Sequence, residues 1–227
     1  MKRVMECPQN VHFIIMECPR SGQSAYIFNF WRGTQNMIIK PDNEMLSYSG
    51  RIDFDDRLAP VLVYACSSIG MKFTGTSLKA VIANHRSCWT NELGYFIDGE
   101  QKRFTLSSDE EKKTYTLAEG LSEGTHELLL FKRMDSCHTF TFYGFEIDDG
   151  AEVLPLPEKP KRKMEFFGDS VSCGEVSEAV EYVGKPDPEH DGEYSNSWYS
   201  YAWMTARKLN AQIHDTSQGG ISLLDDT

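Results

Sequence analysis

From about residue 57 to residue 147 the chain sets apolar against polar positions in short alternating runs, the period of strands with one buried face. Leu78, Ala80 and Ile82 share a face and Lys79 takes the other. Met71-Lys72-Phe73-Thr74 alternates in the same way and stops at Gly75, and Arg57 to Cys66 holds Leu58, Val61, Leu62 and Val63. Tyr95-Phe96-Ile97 and Phe104-Thr105-Leu106 flank Asp98-Gly99, a strong hairpin signal. Thr114 to Leu117, His126 to Phe131 and His138 to Phe142 continue the pattern, and the apolar set resumes out of step at Phe145 and Ile147, which predicts a bulge at Gly144. Earlier, Val11 to Met16, Ala25 to Phe30, Asn36 to Pro41 and Glu44 to Tyr48 read as short strands. Many short strands with almost no helical periodicity predict an antiparallel, jelly-roll-like β-sandwich over residues 36–150, with residues 1–35 as an extension attached to it.

The pattern changes after that. Residues 151–163 carry Pro155, Pro157 and Pro160 among charges and read as an extended interdomain linker. The segment 164–227 opens on Met164-Glu165-Phe166-Phe167, a short strand that stops at Gly168-Asp169-Ser170. Glu175 to Tyr194 is acidic and rich in Gly and Pro, either a solvated loop or the rim of a site. Ser195-Asn196-Ser197 can cap a helix whose buried face is Tyr199, Ala202, Trp203, Ala206 and Leu209. Trp203 then belongs to a core, and Trp198 is the candidate for a substrate contact against a plain packing role. Ala211 to Asp215 is a second strand. Strand, helix, strand is the start of a doubly wound, flavodoxin-like α/β domain, so the chain reads as two domains.

Composition narrows the function classes. The 227 residues hold 23 Lys and Arg against 34 Asp and Glu, a formal net charge of −11. Such a chain repels phosphate backbones and anionic lipid, so neither nucleic acid nor a membrane is an expected partner, and a neutral substrate fits better. No apolar run is long enough for a membrane span, and no apolar stretch after Met1 resembles a secretory signal, which points to a cytoplasmic protein. The six cysteines, Cys7, Cys18, Cys66, Cys88, Cys137 and Cys173, include no Cys-x-x-Cys pair, so no zinc site is expected and reduced thiols are the default.

The chemistry concentrates at Ser170. A serine at the carboxyl end of a strand in an open α/β sheet sits where ligands bind, and it becomes a nucleophile once a base takes its proton. Gly168-Asp169-Ser170-Val171-Ser172, followed later by Thr216-Ser217-Gln218-Gly219-Gly220, resembles the first two blocks of the SGNH (GDSL-type) hydrolases. The stretch Ser68-Ile69-Gly70-Met71-Lys72-Phe73-Thr74-Gly75-Thr76 and the hairpin Tyr95-Phe96-Ile97-Asp98-Gly99 are similar to the sandwich of carbohydrate esterase family 2. That resemblance implies an acetyl esterase of the acetyl xylan esterase kind, acting on acetylated poly- or oligosaccharides such as xylan or mannan, in a bacterial carbohydrate-degrading setting, with no metal or organic cofactor. It implies Ser170 as nucleophile, the N–H groups of Ser170 and Gly220 as oxyanion donors with Gly219 as the alternative, and Asp169 as a structural residue. The family's catalytic His and oxyanion Asn lie well after its second block, and this sequence ends at Thr227. The expectation is therefore a hydrolase domain truncated in this chain, with no residue for either role. Within the chain His190 is the histidine with a path toward Ser170, and Cys173 reads as a small buried residue. The rival reading is a sandwich that binds polysaccharide without catalysis, through aromatics such as Trp31 or Trp89.

Overall fold

The computed structural model describes residues 36–85 and 88–221, together with the backbone of three strands nearer the start. Residues 1–35 and 36–227 form two compact units. In the first, β1 (Val4–Glu6), β2 (His12–Met16) and β3 (Tyr26–Asn29) pair antiparallel in that order, in a sheet of their own. Trp31 lies outside the described residues.

The second unit begins with twelve short strands. They are β4 (Met37–Ile39), β5 (Ser47–Ser49), β6 (Ile52–Asp53), β7 (Val61–Leu62), β8 (Ser68–Thr74), β9 (Leu78–His85), β10 (Glu92–Ile97), β11 (Glu100–Thr105), β12 (Lys113–Ala118), β13 (Thr125–Lys132), β14 (Thr139–Ile147) and β15 (Val153–Leu154). One six-stranded sheet runs β11-β10-β13-β8-β15, with β5 also on β8; the other runs β12-β9-β14-β7-β6, with β4 on β14. The inward positions of both sheets, among them Ile69, Met71, Phe73 and Leu130 on one and Leu78, Ile82, Phe140 and Phe142 on the other, are fully or almost fully buried in one core. Alternation put those residues on a common face, and sharing that face between two sheets is what removes it from water. The Asp98-Gly99 hairpin is present, with positive φ at both residues as a type I′ turn needs. The register of β14 against β9 shifts between Phe142 and Gly144, the predicted bulge. Arg57 to Cys66 is mostly not a strand: Val61–Leu62 alone pairs, and Leu58 sits exposed in a turn capped by Asp56.

The sandwich is buried on a second face as well. Phe131 on β13 points away from the main core, directly opposite Gly94 on β10. It packs with Ala65 and Cys66 against residues of the C-terminal segment. There, β16 (Arg162–Gly168) leads into the single-turn α1 (Ser170–Cys173), then α2 (Tyr201–Lys208) and β17 (Ala211–Ser217), which pairs parallel with β16. Strand, helix, strand is thus the observed order. Ala202, Trp203 and Ala206 form the buried face of α2, but Tyr199 and Leu209 are exposed, since the cap is Ser200 and the helix starts later than Ser195-Asn196-Ser197 predicts. Asn196 instead caps a short 3-10 turn over Ser197–Tyr199.

Residues 151–163 run along the sandwich. Val153–Leu154 extends the first sheet beside β8, Lys159 Nζ donates to the Tyr48 carbonyl, and Gln212 Nε2 of β17 donates to the Pro160 carbonyl at 2.7 Å. The boundaries drawn at residues 150 and 163 therefore fall within one compact unit. No helix among the described residues is long and apolar enough to cross a membrane.

Candidate active site

Strand β16 must turn sharply to enter α1, and Gly168 makes this possible: a Cβ there would lie 2.0 Å from Ser172 Oγ. Asp169 adopts an extended backbone and its carboxylate accepts the Val171 N–H at 3.1 Å, capping α1. Ser170 is the first residue of the helix, half-buried, and its hydroxyl has no hydrogen-bond partner among the described residues. Two residues on, Ser172 is buried and its Oγ meets the Tyr201 hydroxyl at 2.8 Å. Cys173 is fully buried, and burial together with nearby Asp215 pushes its thiol far up, so it is no nucleophile.

The parallel register places Gly168 beside Ser217, and the Gln218 N–H continues the ladder to the Gly168 carbonyl at 3.2 Å. Ser170 and the Gly219-Gly220 turn therefore leave the same end of the two-stranded sheet. The two glycines differ. The Gly219 N–H is taken, donating to Asp135 Oδ2 at 2.9 Å, and a Cβ on Gly219 would lie 2.1 Å from Glu175 Oε1. Gly220 is exposed at φ +74°, and its N–H has no acceptor among the described residues.

Asp135 was not singled out in the sequence. It lies in the β13–β14 loop of the sandwich, almost wholly buried. Oδ1 accepts the Cys137 N–H at 3.1 Å and faces His138 Nδ1 at 3.5 Å. His138 Nε2 accepts the Trp89 N–H at 3.1 Å, so the ring proton belongs on Nδ1, toward Asp135. Burial alone would raise the Asp135 carboxyl, but the facing His138, the Gly219 N–H and the Lys132 charge bring it down to about 2. Lys132 is itself fully buried, donating Nζ to the carbonyls of Met134, at 2.6 Å, and Asp135, and burial lowers its ammonium to about 8. Glu175 completes the cluster. Burial, reinforced by Asp135 and opposed by His190, raises its carboxyl.

His190 stacks on Trp89 with ring centroids 5.5 Å apart, and His138 stacks on Trp89 at 5.9 Å. No histidine hydrogen-bonds Ser170 among the described residues. His214 on β17 is exposed. The acidic loop is not simply solvated: the buried Arg133 guanidinium binds Glu178 at 2.6 Å and the carbonyls of Ser195 and Glu193, and Arg103 also reaches the Glu193 carbonyl. Under β17, Asp215 is fully buried, accepting from Ser217 Oγ and from Cys66 Sγ at 3.4 Å, and burial pushes its carboxyl up to about 6.

Trp198 lies elsewhere. It packs on Phe96 and Trp203 at 4.5 and 4.9 Å, with the Arg207 guanidinium 3.6 Å over its ring. It lines a cavity of about 620 Å³ beside Ala211–Ile213, at the opposite end of β17 from the Gly219-Gly220 turn.

Residues 48–157, which hold the core strands of the sandwich, match the carbohydrate esterase 2 N-terminal family. This sandwich is a carbohydrate esterase family 2 N-terminal domain. The chain is 33% identical over 183 residues to the cellulase/esterase CelE of Acetivibrio thermocellus, covering 80% of this chain and 21% of that protein. It is 27% identical over 206 residues to an acetylxylan esterase / glucomannan deacetylase of Cellvibrio japonicus, covering 88% and 55%. A solved family two carbohydrate esterase from Clostridium thermocellum, in complex with cellohexaose, superposes with a TM-score of 0.69 at 31% identity, covering 78% of this chain and 52% of that one. The chain thus spans about half or less of the length of these family 2 relatives. A match over 183 residues reaches past the sandwich and includes the Gly168-Asp169-Ser170 turn.

Proposed function

We propose that this chain carries the nucleophile of a carbohydrate esterase that removes O-acetyl groups from plant poly- or oligosaccharides of the xylan or mannan type. The observation that supports this reading best is Ser170 itself. It stands at the carboxyl end of a parallel strand, behind a family 2 sandwich, and among the described residues neither its hydroxyl nor the N–H of the adjacent Gly220 turn has a hydrogen-bond partner. The Cellvibrio relative, an acetylxylan esterase / glucomannan deacetylase, supports the acetyl substrate, and the net charge of −11 favours a neutral one.

In this reading Ser170 Oγ attacks the acetyl carbonyl carbon as a base takes its proton. The N–H groups of Ser170 and Gly220 hold the oxyanion. Collapse of the tetrahedral intermediate expels the sugar oxygen, which takes a proton, and leaves an acetyl-enzyme; water then releases acetate and restores the hydroxyl. No residue of this chain is assigned as that base: His190 stacks on Trp89 and makes no hydrogen bond to Ser170 among the described residues. In the non-catalytic alternative Trp89 would serve as a sugar platform, but its ring already stacks with the imidazoles of His138 and His190.

Acetate release from acetylated xylan and from p-nitrophenyl acetate, compared for the chain and its Ser170→Ala variant, tests the reading. Turnover is expected to fall to background in the variant while the circular dichroism spectrum is unchanged. Equal turnover would remove Ser170 from the mechanism.

A further inference from the structure

We propose that Asp135, on the β13–β14 loop of the sandwich, is a positioning residue that sets the oxyanion turn of the neighbouring α/β segment. The proposal rests on the esterase reading for its catalytic consequence, and on geometry alone for the hold itself.

The turn Gln218-Gly219-Gly220 has three anchors. The Gln218 N–H binds the Gly168 carbonyl on the nucleophile strand. The Gln218 side-chain Oε1 accepts from Ser136 Oγ at 2.9 Å, and the Gly219 N–H donates to Asp135 Oδ2 at 2.9 Å. Two of the three come from consecutive sandwich residues. An N–H bonded to a carboxylate makes a charge-assisted bond, roughly twice as strong as a neutral one. It fixes the orientation of the Gln218–Gly219 peptide, the plane immediately before the one that carries the Gly220 N–H. An N–H without an acceptor among the described residues, next to a fixed peptide, is the arrangement an oxyanion donor needs, because preorganisation is the source of its effect.

Asp135 is in turn held on every side. Its Oδ1 accepts the Cys137 N–H and faces His138 Nδ1, its backbone carbonyl accepts from the buried Lys132 ammonium, and His138 is pinned through Nε2 by the Trp89 N–H. A side chain so constrained transmits the position of the sandwich to the turn with little slack. The glycine at 219 also leaves room for these carboxylates: Asp135 Oδ2 would lie 3.1 Å, and Glu175 Oε1 2.1 Å, from a Cβ there. The sandwich therefore completes the active site from outside the α/β segment. This explains why residues separated by 84 positions are tied together where Ser170 and Gly220 emerge.

The test compares the chain with Asp135→Ala and Asp135→Asn in two readouts. The first is amide hydrogen exchange at Gly219, with the β13 and β14 amides as internal control for folding. The second is p-nitrophenyl acetate turnover, resolved into kcat and KM. In Asp135→Ala the Gly219 amide is expected to lose at least about tenfold of its protection while the sandwich strands keep theirs. Its kcat should fall about 10²-fold, the scale of a misplaced oxyanion donor, with KM within about threefold. Asp135→Asn keeps one acceptor oxygen for the Gly219 N–H but turns its NH2 toward the Cys137 N–H, so it should recover part, not all, of both. Unchanged Gly219 protection in Asp135→Ala overturns the hold. Lost protection with unchanged kcat, or a loss carried by KM alone, overturns the positioning role. A wild-type chain without turnover would count against the esterase reading instead, and the exchange arm would still decide the hold.

Discussion

Replacing Asp215 by Asn should stabilise the protein at neutral pH and leave it unchanged in acid. Asp215 is fully buried on β17, receiving hydrogen bonds from Ser217 and Cys66, and makes no ion pair among the described residues. Burial raises its carboxyl to about 6 in the folded protein, against roughly 4 in an unfolded chain. Between those two values the folded state holds the proton and the unfolded state does not. The contribution of Asp215 is therefore fully favourable below about pH 4 and is lost as pH rises through 6. A displacement of about two pH units is worth about 3 kcal/mol, so above pH 6 the native state carries that cost of a buried carboxylate. Asn matches the protonated acid in shape and keeps an acceptor for the Cys66 thiol. The difference in unfolding free energy, variant minus wild type, should grow by about 2 kcal/mol from pH 4 to pH 7, which at this chain length moves the melting temperature by roughly 4–8 °C. Thermal unfolding followed by near-ultraviolet circular dichroism at half-unit pH steps measures it. Asp135, depressed to about 2, loses its own contribution only at lower pH and is common to both proteins. Parallel pH curves for the two would refute the reasoning.

Two further outcomes follow from the packing. Arg133→Ala should destabilise the protein by about 3–5 kcal/mol, because it strands Glu178 and the neighbouring Glu92 beside a buried void, and Arg133→Ala with Glu178→Gln should recover part of that in urea unfolding. Gly168→Ala puts a methyl 2.0 Å from Ser172 Oγ, so it should cost about 1–3 kcal/mol by the same assay and slow turnover by displacing Ser170.

The elements that rest on local pattern were legible in the sequence. Leu78-Lys79-Ala80 alternates because β9 has one core face, Asp98-Gly99 turns because both residues take positive φ, and Gly144 breaks register where the bulge occurs. The turn that presents Ser170 was legible because a strand ending in Gly-Asp-Ser is itself a local signal, but the reading of that strand as buried on both faces was not met: Phe167 on β16 is exposed. What was hidden depends on distant partners. Phe131 looked like one more strand residue, but it is one of the contacts that join the sandwich to α2, at a ring distance of 5.3 Å from Trp203. Lys132, Arg133 and Asp135 looked like a solvated strand end, since charges are ordinarily exposed. Their burial comes from a loop and a turn 45 to 84 residues away, which no period along the chain reports. The trace available was the density of charge immediately after a strongly apolar strand, Leu128-Leu129-Leu130-Phe131-Lys132-Arg133-Met134-Asp135. Leu58 and Leu209 misled in the opposite sense, as apolar residues that the fold leaves in water.

The most direct test of the central claim is covalent. The chain is incubated with a fluorophosphonate, which reacts with an activated serine and leaves a stable adduct, and the modified residue is located by peptide mass mapping, with Ser170→Ala as the control. The account predicts a single adduct, on Ser170, absent from the variant and suppressed by an acetylated xylo-oligosaccharide. An adduct on another serine, or equal labelling of the variant, would contradict it.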